Sequence, residues 1–214
     1  MKEIAIYGVG GFGREVLTLI QDINRQRHEW KIIGFFDDGY PAGEMINGLP
    51  TLGGMSSLNK WDREISVAVA IGNPATKKKI VNNICNRNVL FPTLIHPSVQ
   101  IGDDNYVQIG KGCIICAENL ITTNIIIGDF VILNLACTTG HDTTLGDYSA
   151  FMPSVNISGE VNIGSEVYVG TGAKIINQIN IGEQTIVGAG AVVTKDLPAR
   201  CTAVGVPAKP IKQR

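Results

Sequence analysis

Over residues 1 to about 90, short apolar runs of β type alternate with amphipathic stretches. Residues 4–7, 31–36 and 67–71 read as strands, and 14–25 and 76–86 as helices. That order predicts a parallel sheet flanked by helices. From about residue 95 the pattern changes. Ile109-Gly110, Ile127-Gly128, Leu145-Gly146, Ile163-Gly164 and Ile181-Gly182 stand 18 residues apart, which is three sixes. Every sixth residue from Ile109 to Val193 is aliphatic except Thr139 and Phe151. Four positions further on, most residues are small or β-branched, as at Cys113, Cys137, Ser149, Val161 and Ala191. A period of six belongs neither to a helix nor to a simple strand.

Such a period predicts a solenoid of stacked three-sided coils, with the aliphatics in a continuous core and glycine where the backbone turns. Adjacent coils lie about 4.8 Å apart, so five or six of them make a prism roughly 25–30 Å tall. Ile101-Gly102 falls eight residues before Ile109, out of phase, and marks an imperfect first coil. The run ends near Lys195, where Asp196, Pro198 and later Gly205, Pro207 and Pro210 break it. The boundary between the two patterns lies near residues 94–99. The expectation is an α/β half-Rossmann domain over 1–94 and an all-β parallel helix with a C-terminal tail over 95–214.

Composition narrows the partners. The formal net charge is −1, and no basic run exceeds Lys77, Lys78 and Lys79, which reads as a solvated helix face. Nucleic acid is therefore not an expected partner. The apolar stretches are strand-sized and the first residues carry no signal-peptide core, so a cytoplasmic protein without membrane insertion is expected. Five cysteines form no regular framework, and Cys113 and Cys116 make a single CxxC without a second pair or nearby histidines. No metal is expected.

The hexads, written [LIV]-G-x-x-[small]-x, and the tail Val204-Gly205-Val206-Pro207-Ala208-Lys209 resemble the hexapeptide-repeat acyltransferases. That resemblance implies a left-handed β-helix and acetyl-CoA as co-substrate. The GxGGxG segment in front narrows it to the branch with sialic acid O-acetyltransferases and the bacterial N-acetyltransferases of nucleotide-linked 4-amino sugars. The implied activity is acetylation of the amino group of a nucleotide-linked sugar, the alternative being O-acetylation of a sialic acid or acetylation of a non-sugar acceptor such as serine. The family is also trimeric, which makes a homotrimer the expected assembly.

Gly8, Gly10 and Gly13 form GxGxxG between a strand and a helix, a device that brings backbone N–H groups and a helix N-terminus against phosphate. A nicotinamide dehydrogenase uses the same signal but needs a second mononucleotide half, and fewer than 100 residues precede the repeats. Asp37 and Asp38 follow the second strand, where a carboxylate could meet a ribose or base. The resemblance implies that Gly10, Gly11, Phe12, Asp37, Asp38 and Gly72 hold the nucleotide sugar. The competing reading is that these glycines only close turns.

Three histidines exist, at 28, 96 and 141. His28 lies in a charged stretch and reads as exposed, and His96, before Pro97, as structural. His141 follows the polar interruption at Thr139 and is expected on a corner or outer face. An imidazole near its ordinary pKa can take the proton of an acceptor at neutral pH, and Asp142 would stabilise the imidazolium. The family's histidine–acid pair matches His141 and Asp142 as catalytic residues. The amino-sugar branch can carry a second histidine nine residues after the base, near the acetyl-CoA carbonyl, whereas this chain has Ala150. The resemblance places acetyl-CoA along Ala150, Thr171 and Ala189, with Lys209 at its nucleotide end. Cys113 and Cys137 fill small inward slots and read as core. A carbonic-anhydrase-like site on the same fold would need three histidines on zinc, and the repeats hold one. A catalytically silent nucleotide-sugar sensor would keep the glycine loop without needing the His-Asp pair.

Overall fold

The computed structural model describes residues 1–213, with Asp104 described by its backbone alone. The chain forms two compact units, Met1–Pro97 and a second beginning at Ser98.

The first unit runs β1 (Lys2–Tyr7), α1 (Gly11–Arg27), β2 (Trp30–Phe36), β3 (Met45–Ile46), β4 (Leu49–Pro50), α2 (Met55–Asn59), β5 (Ile65–Val69), α3 (Pro74–Asn83) and β6 (Val89–Leu90). A parallel sheet takes the order β2-β1-β5-β6. β5 is buried throughout and β1 from Ile4 to Tyr7, as the apolar runs of a parallel sheet should be. α1 buries Gly13, Val16, Leu17, Ile20 and Ile23, the spacing of one helix face. It ends at His28, which takes a left-handed conformation (φ 48°) and donates its N–H to Asn24 O at 3.1 Å. α3 starts on Asn73, whose side chain accepts the Thr76 N–H at 2.9 Å, with Pro74 in the first turn. The sheet and both long helices match the sequence pattern. The hairpin β3–β4, α2 and β6 are too short to show a period.

One expectation is overturned here. Lys77 does not belong to a solvated helix face: it is 1% exposed. Its place one turn into α3, after Pro74, points it inward, whereas Lys79 is exposed.

In the second unit, strands of two or three residues stack in parallel with an 18-residue offset, as in Ile114, Ile132, Ala150, Tyr168 and Ile186 on one face. Two further faces are built the same way, one through Leu120, Thr138, Asn156 and Lys174 and one through Ile126, Thr144, Asn162 and Asn180. Backbone bonds join coil to coil, for example Ile132 N–H to Ser149 O at 3.0 Å. The aliphatic column and the small slots form the core: Ile121, Leu133, Leu145, Phe151, Val155, Val169 and Val187 are all fully enclosed. Cys113 and Cys137 lie among them, as expected. The solenoid is a left-handed β-helix.

The turns differ from the sequence reading. From Gly112 to Gly190 one residue in every six has positive φ, and only Gly112, Gly172 and Gly190 of these are glycines; Glu118, Asn124, Asp142 and Glu160 are among the rest. The glycine after each aliphatic is elsewhere in the turn, and its role is close approach. A Cβ at Gly146 would lie 2.5 Å from Gly164 C, and one at Gly164 would lie 2.7 Å from Glu183 N. The stacking of coils, rather than the left-handed conformation, selects glycine there.

The ends of the solenoid also depart from strict period. Ile101 pairs with Ile121, an offset of 20, and the short 3-10 turn Asp104–Tyr106 takes up the extra residues. At the other end the coil does not stop near Lys195. Leu197 bridges Ile181, and Cys201–Val204 pairs in parallel with Ile186 and Val187, an offset of 16. A turn shortened by two residues hides this coil from a period of six. Lys209–Gln213 then returns antiparallel on Cys201–Val204. Among the described residues no helix is long and apolar enough to cross a membrane.

Candidate active site

The glycine loop joins β1 to α1, and its glycines fall into two kinds. Gly8 has φ 111°, and a Cβ at Gly13 would lie 1.9 Å from Gly8 O, so the fold itself requires both. At Gly10, Gly11 and Gly72 an added Cβ would meet nothing within 4 Å, and none of the three has positive φ. Internal packing does not explain glycine at these positions. They are bare backbone facing open space, with Gly10 at the start of α1, where no side chain caps the helix. Phe12, in the first turn of α1, is half-buried.

Asp37 and Asp38 both have partners within this unit. Asp37 accepts the Val9 N–H at 2.9 Å and the Gly39 N–H at 2.9 Å, so it ties the glycine loop to the end of β2. Asp38 accepts the Tyr7 hydroxyl at 2.6 Å and the Met55 N–H at 2.8 Å. Burial pushes the Tyr7 phenol up, and the Asp38 carboxylate beside it adds to the rise. Each carboxylate oxygen keeps a second lone pair, so these contacts orient the pair without exhausting it.

In the solenoid, His141 and Asp142 occupy one corner, between the strands Thr138–Thr139 and Thr144–Leu145. Asp142 takes the left-handed position of its turn (φ 57°). That geometry brings the carboxylate beside its own neighbour: His141 Nδ1 lies 2.7 Å from Asp142 Oδ2. Both side chains are about half exposed. The hydrogen bond to His141, and next the one to Asn124, hold the Asp142 carboxyl below the usual carboxylate range. A carboxylate only accepts, so the proton between them sits on Nδ1, and Nε2 is left as the acceptor atom of the neutral imidazole.

Two residues at this corner escaped the sequence reading, although the 18-residue register was the signal for both. Asn124, one coil before Asp142, donates Nδ2–H to Asp142 Oδ1 at 2.9 Å. Gly159, one coil after His141, is buried; a Cβ there would lie 2.5 Å from both Cε1 and Nε2 of the imidazole. The ring therefore rests on bare backbone. The backbone is fixed by Glu160 N–H to His141 O at 2.8 Å and Asp142 N–H to Thr123 O at 3.1 Å.

Thr171 and Ala189 lie elsewhere, 18 residues apart on the corner that follows the Tyr168 face. Both are exposed, and the left-handed residues after them are Gly172 and Gly190, where a Cβ would meet nothing. Earlier coils carry Glu118, Ala136 and Ser154 in that same column, so the turn tolerates a side chain there. The later coils present a smooth strip of backbone. Within one chain a whole flat face, with Thr138, Asn156 and Lys174 pointing outward, separates this strip from His141. A six-residue side spans at most about 20 Å.

Ala150 has no exposed surface, and its N–H is committed to Val167 O at 2.8 Å. Lys209 is exposed at the start of the final strand. His28 is exposed, and His96 is half-buried with Nε2 3.3 Å from Asp22 Oδ2. Burial pushes the Cys137 thiol up to about 11, which leaves it protonated and unsuited to covalent catalysis.

Comparison with known proteins gives this geometry a family. Residues 3–84 match the model of the PglD N-terminal domain. A GDP-perosamine N-acetyltransferase of Escherichia coli O157:H7 is 32% identical over 175 residues, covering 82% of this chain and 78% of that one. Among solved structures, WeeI from Acinetobacter baumannii AYE aligns with a TM-score of 0.89 at 34% identity, over 99% of this chain and 100% of that chain. The acetyltransferase domain of PglB from Neisseria gonorrhoeae FA1090, in complex with acetyl coenzyme A, aligns with a TM-score of 0.87 at 32% identity, over 98% of this chain and 99% of that chain. Coverage at this level takes in both the sheet with the glycine loop and the coils with the His-Asp corner, and the chain belongs to the hexapeptide-repeat sugar acetyltransferases.

Proposed function

We propose that this acyltransferase moves the acetyl group of acetyl-CoA to the amino group of a nucleotide-linked amino sugar, with His141 as general base. The observation that carries the reading is the 2.7 Å His141–Asp142 pair on an exposed corner, which supports Nε2 as the proton acceptor. The Escherichia coli relative, named for acetylation of GDP-perosamine, supports an amino-sugar acceptor, and the acetyl coenzyme A complex supports the donor.

In the proposed step Nε2 takes a proton from the neutral amine as its nitrogen forms a bond to the thioester carbonyl carbon. The tetrahedral oxyanion then collapses, the C–S bond breaks, and the departing CoA thiolate takes the proton back from the imidazolium. Asp142 stabilises the imidazolium between the two events. The N–H of Ala150 is already bonded within the coil, so the donor to the oxyanion is another group.

The open glycines Gly10, Gly11 and Gly72 let phosphate approach the start of α1, with Phe12, Asp37 and Asp38 beside them for the rest of the nucleotide sugar. The backbone strip at Thr171 and Ala189 suits an extended pantetheine arm, with Lys209 for the nucleotide end of CoA. Because that strip and His141 occupy different corners, a homotrimer in which one chain's strip meets another's base completes the reaction centre.

The test is thiol release from acetyl-CoA with a panel of GDP-, UDP- and dTDP-linked 4-amino sugars, sialic acid and serine. Release with at least one 4-amino nucleotide sugar, far above that with sialic acid or serine, is the expected outcome. Preference for sialic acid or serine would move the acceptor to a hydroxyl or a non-sugar amine.

A further inference from the structure

We propose that Asn124 is a positioning residue for the base: from one coil away it holds Asp142 so that the opposite carboxylate oxygen meets His141 Nδ1. The inference rests on His141 being the general base, and adds to it a residue that touches neither substrate nor imidazole.

The geometry is specific. Asp142 offers two oxygens, and each has one side-chain partner: Oδ2 faces His141 Nδ1 at 2.7 Å, and Oδ1 takes Asn124 Nδ2–H at 2.9 Å. A free carboxylate on this exposed corner would rotate about χ2 and exchange its imidazole contact for water. Pinning Oδ1 removes that freedom and keeps Oδ2 against His141 Nδ1. Asn124 is itself well suited to its place. It sits at φ 55°, a left-handed conformation that asparagine tolerates better than most residues, in the column that holds Asp142 one coil later. The amide supplies a donor without a charge, so it steadies the carboxylate without competing for it as an ammonium or guanidinium would. The other charged group in the column is Glu160, whose carboxylate accepts Gln178 Nε2–H at 3.1 Å. From the preceding coil the corner receives only the uncharged Thr123 and Asn124, and from the next coil Gly159 and Glu160.

Two substitutions separate this role from a structural one. Asn124→Gly removes the donor while accepting the positive φ. Asn124→Asp keeps the shape but puts a second negative charge against Asp142. Steady-state kinetics and pH profiles are measured for both, for His141→Ala, and for the double variant of His141→Ala with Asn124→Gly. Asn124→Gly should lower kcat about three- to tenfold, the range of an ordinary net hydrogen bond, as suits a solvent-exposed corner, with KM for acetyl-CoA and the thermal midpoint unchanged. In the His141→Ala background the same change should cost nothing further, because there is no base left to orient. Asn124→Asp should raise the ionisation seen in kcat/KM, since added negative charge favours the imidazolium.

If His141→Ala loses about 10²–10⁴-fold in kcat as expected but Asn124→Gly keeps wild-type kcat, or costs the same with and without His141, the positioning role is wrong and the base assignment stands. An unmoved pH profile in Asn124→Asp would overturn it equally. If His141→Ala itself retains full activity, the base assignment fails first, and this role with it.

Discussion

At the corner of the coil, the imidazole of His141 is held between a carboxylate and a glycine, and each contact can be removed by one substitution. A methyl group at Gly159 would lie 2.5 Å from Nε2, and the far end of the His141 side chain is what must give way. Gly159→Ala should therefore lower kcat by about tenfold or more, as misplaced catalytic groups do, while the melting temperature moves little; unchanged kcat would show that the ring does not work from this position. The Asp142 carboxyl, held low by His141 and Asn124, stays ionised throughout the range where an imidazole titrates. Its folded pKa is depressed, so its pairing is present above the ordinary carboxylate range and is lost only as pH falls through the folded value. The limb of kcat/KM that rises with pH should therefore carry no step from Asp142: it reports the general base losing its proton, and the acceptor amine adds its own limb. In Asp142→Asn that limb should shift to lower pH, because the imidazolium loses its counter-charge; a limb that stays put would mean the carboxylate does not tune the base.

At the scale of single elements, the glycine loop and the coil make opposite demands on substitution. Gly13→Ala should unfold or strongly destabilise the first unit, since its Cβ would lie 1.9 Å from Gly8 O. Gly11→Ala should leave the thermal midpoint near wild type and weaken binding of the nucleotide sugar, because nothing in the protein occupies that space; unaltered affinity in a titration would leave the open glycines without a ligand role. Within the coil, Thr139 stands in the aliphatic column, is buried, and its hydroxyl has no partner among the described residues. Thr139→Val keeps the shape and removes that cost, and should stabilise the protein by about 1 kcal/mol in chemical denaturation. Much of this architecture was legible in the sequence, because stacking repeats a hydrophobic demand every six residues and a β–α–β unit writes its own periods. The glycine loop and the His-Asp pair could be found because they interrupt those patterns. Asn124 and Gly159 interrupt nothing, and their meaning comes from the coils stacked 18 residues apart rather than from their own neighbours, so only the register applied residue by residue would have singled them out. The coil beyond Lys195 was hidden by two missing residues, and the inward turn of Lys77 by a charge that usually signals solvent.

For the molecule as a whole, one face of the coil stands between His141 and the Thr171–Ala189 strip, and the proposed reaction therefore calls for a second chain to bring the two together. Sedimentation should give about three times the 22.9 kDa of the chain, and a fully active monomer would require the co-substrate to reach His141 by a route within one chain. The central claim, that His141 takes the proton of a sugar amine during acetyl transfer from acetyl-CoA, is tested most directly by one comparison. Thiol release with the preferred nucleotide-linked amino sugar is followed across pH for the wild type and for His141→Ala. Loss of a positioned base should lower kcat about 10²–10⁴-fold and abolish the imidazole limb of kcat/KM, while binding of acetyl-CoA stays close to wild type. A His141→Ala enzyme that keeps more than about a third of wild-type kcat, far outside the range for a lost base, with the limb still present, would contradict the account.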